Sequence, residues 1–109
     1  MSQPTPMSVP SELGALAEAY PDLIAGLRDA RLAGESSSLS ERDIELIRLG
    51  VMIAIDAPAA SFDAHVGRAL GAGATRDDVI GVAASIATIV GLPRILSAMP
   101  KLTAAIDGQ

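Results

Sequence analysis

The 109-residue chain has no cysteine and no tryptophan, and only one histidine, one tyrosine and one phenylalanine. Without cysteine there is no disulfide, no thiolate nucleophile, no zinc finger and no iron–sulfur cluster, and the expected location is cytoplasmic. Basic side chains are also scarce, 8 Lys and Arg against 13 Asp and Glu, for a net charge of −5. A basic footprint and stacking aromatics are both missing, so nucleic acid is not an expected partner. Long apolar runs are absent as well. The uncharged stretch from Val79 to Pro93 is interrupted by Gly81, Ser85 and Thr88, and it falls short of the roughly 20 residues a bilayer-spanning helix needs. No membrane association is expected. The opening Met1-Ser-Gln-Pro-Thr-Pro-Met-Ser-Val-Pro10 lacks the basic and apolar regions of a signal peptide and is rich in proline. It reads as a disordered arm over residues 1–10, with one all-helical domain over residues 11–109.

What the chain has is alanine, leucine and helix punctuation. Half of its residues are apolar and 19% are charged, and β-branched residues never alternate with polar ones over a useful window, so the fold class is all-α. Ser11 is placed to cap a short helix reaching about Tyr20, and Pro21-Asp22 starts a second whose Leu23, Ile24, Leu27 and Leu32 share a face before Gly34. Ser40 caps a third helix reaching about Asp56, with Glu41 and Asp43 in its first turn. Its Ile44, Ile47, Val51 and Ala54 form the expected buried face, and Glu41, Glu45, Arg48 and Met52 a second stripe. Pro58 opens a fourth helix that stops at Gly71 and Gly73. Thr75-Arg-Asp-Asp78 is a capping-box variant opening a fifth through Val90. Gly91-Leu92-Pro93 breaks the pattern, and Pro100 divides the remainder into two short terminal helices, Ile95 to Met99 and Pro100 to Ile106.

The fifth helix sets the expectation for assembly. Val79, Ile80, Val82, Ala83, Ile86, Ile89 and Val90 surround its circumference, and a helix without a solvated face must be enclosed on all sides. A domain of this size has few neighbours to offer. The pattern predicts a homo-oligomer, with the hub of a monomeric bundle as the plainer possibility.

His65 is the only candidate proton shuttle. It shares a helical stripe with Ser61 one turn before and Arg68 about one turn after, while Phe62, Val66 and Ala69 form the neighbouring apolar stripe. An antiparallel pairing of the third and fourth helices brings Glu45 toward it, and a carboxylate there would fix the imidazole's tautomer. The plainer reading is a partly buried histidine with its nitrogens satisfied, and a solvated stripe of ordinary helix-surface ion pairs. A Ser61-His65-Glu45 hydrolase is disfavoured, because a mid-helix serine has no oxyanion hole beside it. One histidine and scattered acids make no metal site. Gly71-Ala-Gly73 lacks the Lys-Ser/Thr of a phosphate loop.

Read in order, Leu39-Ser-Glu-Arg-Asp-Ile-Glu-Leu46, His65-Val-Gly-Arg-Ala-Leu-Gly-Ala-Gly-Ala-Thr-Arg-Asp-Asp-Val79, Gly91-Leu-Pro-Arg94 and Ala98-Met-Pro-Lys-Leu102 resemble the carboxymuconolactone decarboxylase family and its alkylhydroperoxidase D-like relatives. The resemblance implies a compact, oligomeric bundle of about six short helices. It departs from the redox branch, in which a Cys-x-x-Cys pair precedes the histidine; the corresponding positions here are Pro58 and Ser61, so a thiol peroxidase cycle is excluded. The family's relay glutamate aligns with Glu45, with Asp43 as competitor. The decarboxylase branch implies a cofactor-free lyase on a small acidic or lactone-type metabolite, with His65 as acid/base, Arg48 or Arg68 holding a carboxylate, and Ser61 beside the substrate. A catalytically silent oligomer that binds a small ligand or a protein partner is the alternative.

Overall fold

The computed structural model describes residues 11–109; the arm expected at residues 1–10 lies outside them. The described chain divides into two compact units, the first ending at Ser37 and the second running from Ser38 to Gln109. In the first, a 3-10 turn at Ser11–Leu13 leads into α1 (Gly14–Ala19) and then α2 (Pro21–Gly34), and the two helices pack together as a hairpin. Ser11 does not cap α1 as the sequence suggested: Leu13 holds that position without a side-chain bond, and the Ser11 hydroxyl turns to Glu12. The tight 3-10 turn intervenes, which moves the start of α1 beyond the serine's reach. Pro21 occupies the first turn of α2, where its missing N–H costs no helical hydrogen bond. Leu23, Leu27 and Leu32 on α2 are exposed.

The second unit is a bundle of four helices, α3 (Glu41–Ala54), α4 (Ala59–Gly71), α5 (Arg76–Val90) and α6 (Leu92–Asp107). Helix α3 packs on α4 and α5, and α6 closes the ring by packing on the same two. Leu49, Ile53, Phe62, Val66, Val79 and Leu102 are fully buried at its centre, each side chain contributing about 1.5–3 kcal/mol relative to exposure. No strand occurs among the described residues, so the all-α class stands.

Local chemistry sets the helix ends. Ser40 Oγ accepts from the Asp43 amide at 3.1 Å. Thr75 and Asp78 complete both halves of a capping box, the Asp78 amide donating to Thr75 Oγ1 at 3.1 Å and the Thr75 amide to Asp78 Oδ2 at 2.8 Å. At the C-terminus of α4 the chain turns at Gly73, φ 99°, while the Ala74 amide donates to the Ala69 carbonyl at 2.9 Å. The same pattern ends α3, with the Ala57 amide donating to Met52 at 3.0 Å, but the left-handed position is taken by Asp56, φ 56°. This is a Schellman ending with aspartate in glycine's usual place, and it stops α3 at Ala54, earlier than the sequence implied.

Two further expectations fail. The buried face of α3 is Ile44, Glu45, Leu49 and Ile53, while Ile47 and Val51 are each 53% exposed. The helix has two apolar stripes, and the one carrying Leu49 and Ile53 faces the core; Glu45 goes inward with it and is met there by Arg48 and His65. The C-terminal segment is one helix, with Pro100 inside it. Proline removes one backbone bond, yet Ala98, Leu102 and Ala105 on either side are buried on a common face and keep the axis continuous.

Candidate functional site

Phe62, Val66 and Ala69 anchor α4 in the core with no exposed surface. His65 therefore leaves the helix on an adjoining stripe, beside α3, with 16% of its side chain exposed. There Glu45, only 2% exposed, places Oε2 at 2.6 Å from His65 Nδ1 and accepts at Oε1 from Arg48 Nη1 at 2.9 Å. Arg68 Nη1 lies 3.3 Å from His65 Nε2. Four side chains thus form one line, Arg48, Glu45, His65, Arg68.

The line dictates the tautomer. A guanidinium only donates, so Nε2 must present its lone pair to Arg68, and the ring proton sits on Nδ1, donating to Glu45. The histidine's pKa agrees: burial pushes it below the ordinary histidine value, Arg68 and Arg48 push the same way, and Glu45 opposes them. The resting imidazole is therefore neutral at neutral pH.

The structure brings Glu45, Arg48, His65 and Arg68 together and leaves two other candidates apart. Asp43 is exposed and paired with Arg42 at 3.0 Å, so the carboxylate facing His65 is that of Glu45. Residues two apart point about 200° away from each other around a helix, which is why only one of the pair can face α4. Ser61 is half-buried, and no hydrogen bond joins its hydroxyl to the histidine. Pro58 is the N-cap of α4 and Ser61 lies in its first turn. Among the described residues no group of three or more His, Asp or Glu side chains is arranged to hold a metal ion.

A second polar cluster went unnoticed in the sequence. Asp56 Oδ1 accepts from Ser97 Oγ at 2.6 Å and from Lys101 Nζ at 3.1 Å, and Oδ2 lies 3.5 Å from Arg94. The hydrogen bonds from Ser97 and Lys101 hold its carboxyl below the usual range. The only cue in the sequence is an acidic residue just past a helix end, followed by Ala-Pro.

A family model described as the carboxymuconolactone decarboxylase family matches residues 18–104, which include all four residues of the line. No curated protein and no solved structure matches the chain.

Proposed function

The chain belongs to the carboxymuconolactone decarboxylase family, and on that basis we propose that it is a cofactor-free enzyme acting on a small acidic or lactone-type metabolite, with His65 as acid/base. The observation that carries the reading is the 2.6 Å contact of Glu45 with His65 Nδ1. It orients the imidazole so that Nε2 is the nitrogen that exchanges protons, and it stabilises the imidazolium once formed. Glu45 acts as a positioning residue.

In a decarboxylation of this type, the bond between a ring carbon and the substrate carboxylate breaks, and its electron pair passes into the conjugated lactone carbonyl as carbon dioxide leaves. The imidazole, neutral at rest, first takes up a proton from solvent at Nε2; that proton then forms the new C–H bond and the ring returns to its neutral state. One proton is consumed per turnover. A guanidinium, of Arg48 or Arg68, holds the anion. Thiol peroxidase chemistry is outside its reach, since the sequence has no cysteine.

A specific observation supports a second reading, a catalytically silent oligomer that binds a small ligand. Both imidazole nitrogens are already hydrogen-bonded within the chain, as those of a purely structural histidine would be. In either reading we include self-association. Within the chain α5 is not enclosed: Ala84, Ser85 and Thr88 are exposed and Ile89 is 83% exposed.

The test is His65→Asn, assayed for carbon dioxide release from a panel of carboxylated unsaturated lactones. The enzyme reading expects wild-type turnover on at least one of them and a loss of about 100-fold or more in the variant. Wild-type rates in a folded variant would remove His65 from the mechanism.

A further inference from the structure

The carboxylate of Glu45 has two oxygens, and only one of them faces the histidine. Oε2 lies 2.6 Å from His65 Nδ1, while Oε1 accepts from Arg48 Nη1 at 2.9 Å. A carboxylate at the end of a flexible stem turns readily about its last bond, and a single contact with Nδ1 leaves that rotation open. A second donor fixed at the other oxygen closes it. We propose that Arg48 is a positioning residue for the acid/base step: it holds Oε1 of Glu45 so that Oε2 stays on Nδ1 of His65 and Nε2 remains the nitrogen that exchanges protons. The inference rests on the acid/base role of His65, and it assigns Arg48 to the orientation of the histidine and not to the substrate carboxylate.

Arg48 stands three residues after Glu45 on the same helix, where side chains are neighbours. Donor and carboxylate are therefore both set by α3, which offers α4 an acceptor already aimed. The two do not form an ordinary solvated ion pair: the Glu45 side chain is 2% exposed and that of Arg48 23%, a setting in which water competes little for the bond. The bond also lies on the Nδ1 side of the line, whereas the reacting nitrogen looks the other way, toward Arg68. On this assignment the substrate carboxylate is held on the Nε2 side, away from Arg48. The role asks for only one of the guanidinium's five donors, so it is compatible with further contacts of Arg48.

Charge and position act on the ring in opposite directions. The positive charge of Arg48 lowers the histidine's pKa, whereas the hydrogen bond to Glu45 raises it and is the larger influence of the two. A histidine that only feels the charge of Arg48 becomes more basic when that charge is removed. One oriented through Glu45 becomes less basic, because the carboxylate drifts off Nδ1. The remaining charged group acting on the ring is Arg68 from α4. Glu41 and Asp43 on α3, Asp63 on α4 and Asp77 on α5 are exposed, Arg42 pairs with Asp43 and Asp78, Arg76 with Asp107, and Arg94 and Lys101 with Asp56.

Because the sequence has one histidine, nitrogen-15 labels in its ring report on this site alone. The full chain is titrated by NMR from pH 8 to pH 4.5 as wild type, Arg48→Met and Arg48→Lys. Methionine keeps an apolar stem and offers no donor, whereas lysine keeps the charge but carries its donors on a flexible stem in place of a fixed fork. The positioning role expects the histidine's pKa to fall in Arg48→Met by about 0.5 or more, and in Arg48→Lys by less. A raised or unchanged value in Arg48→Met overturns the proposal. If Arg48→Met fails to fold, because a buried carboxylate has lost a partner, Arg48→Lys decides alone: a fall supports the role, and an unchanged or raised pKa overturns it. On any lactone the wild type turns over, Arg48→Lys should lower kcat and leave KM unchanged, and a raised KM with kcat unchanged returns Arg48 to the substrate. The titration needs no turnover: a fall in pKa with no active lactone leaves the acid/base reading to fail alone, and turnover that depends on His65 with an unmoved pKa does the reverse.

Discussion

The carboxylate of Glu45 on α3 and the imidazole of His65 on α4 meet at 2.6 Å across a separation of twenty positions in the chain. The acid is almost wholly buried, and both of its oxygens are in use, one by the histidine and one by Arg48. A buried group so fully committed is structural and chemical at once, and substitutions there should be felt in both ways.

Glu45→Gln keeps the size of the side chain and replaces its charge. It should cost about 1–3 kcal/mol in urea unfolding, the usual range for weakening buried hydrogen bonds to a charged group, and lower the histidine's pKa further, since Glu45 is what opposes burial and the arginines. An unchanged NMR titration of the ring would show that the contact does not set its protonation.

Stability should fall in two separate acid steps. The histidine's folded pKa lies below its ordinary 6.5, so the unfolded chain binds the proton more readily. The corresponding stability is complete above about pH 6.5 and is lost as pH falls toward the folded value. Asp56 and Asp78 are held below the ordinary 3.8, Asp56 by Ser97 and then Lys101, Asp78 by the Thr75 amide and then Arg42. Their contribution persists above about pH 3.8 and is lost as pH falls through the folded values. Urea midpoints measured from pH 8 to pH 5.5 should decline for the wild type and stay level for His65→Asn. An equal decline in both assigns the first step to another group.

Thr75→Ala removes the hydroxyl that caps α5 and frees one half of the box it forms with Asp78. A loss of about 1 kcal/mol is expected, with α5 still formed by circular dichroism. A loss below a few tenths would mean that the amide of Asp78 finds water as good a partner.

Purified protein given an organic hydroperoxide and a dithiol should consume no peroxide above blank. Serine has neither the acidity nor the redox ladder of a thiol. Peroxide consumption that persists after rigorous metal removal would contradict this.

Light scattering at micromolar concentration should report at least a dimer of the 11.1 kDa chain, and Ile89→Lys should weaken it if the exposed side of α5 is the contact. A monodisperse monomer would end the oligomer proposal.

The sequence was most legible where structure depends on neighbours a few residues away. Ser40, the Thr75-Asp78 pair, Gly73 and Gly91 mark helix ends through bonds closed within a turn, and those ends are where they were expected. The stripe of Phe62, Val66 and Ala69 on α4 was equally plain. It was least legible where one helix chooses its face by meeting another. Helix α3 offers apolar side chains on two sides, and periodicity alone selected Ile47 and Val51, which are exposed. The face that turns inward carries Leu49 and Ile53, and it takes Glu45 with it, an acid tolerated in the interior because its partners lie on α4 and on its own next turn. The same non-local information separates Glu45 from Asp43. Pro100 misled in the opposite way: a local rule about proline is overruled by the burial of Ala98 and Leu102 on either side.

The short separation between Glu45 and His65 also bears on how the molecule is assembled. Closing a loop of that length carries only a modest entropic penalty, and pairing α3 with α4 needs no distant part of the chain, a hallmark of rapid formation. Within the four-helix unit the acid–imidazole pair joins the first two helices in chain order, α3 and α4, ahead of α5 and α6. Glu45→Gln is therefore expected to slow refolding in a stopped-flow experiment as well as to alter the site.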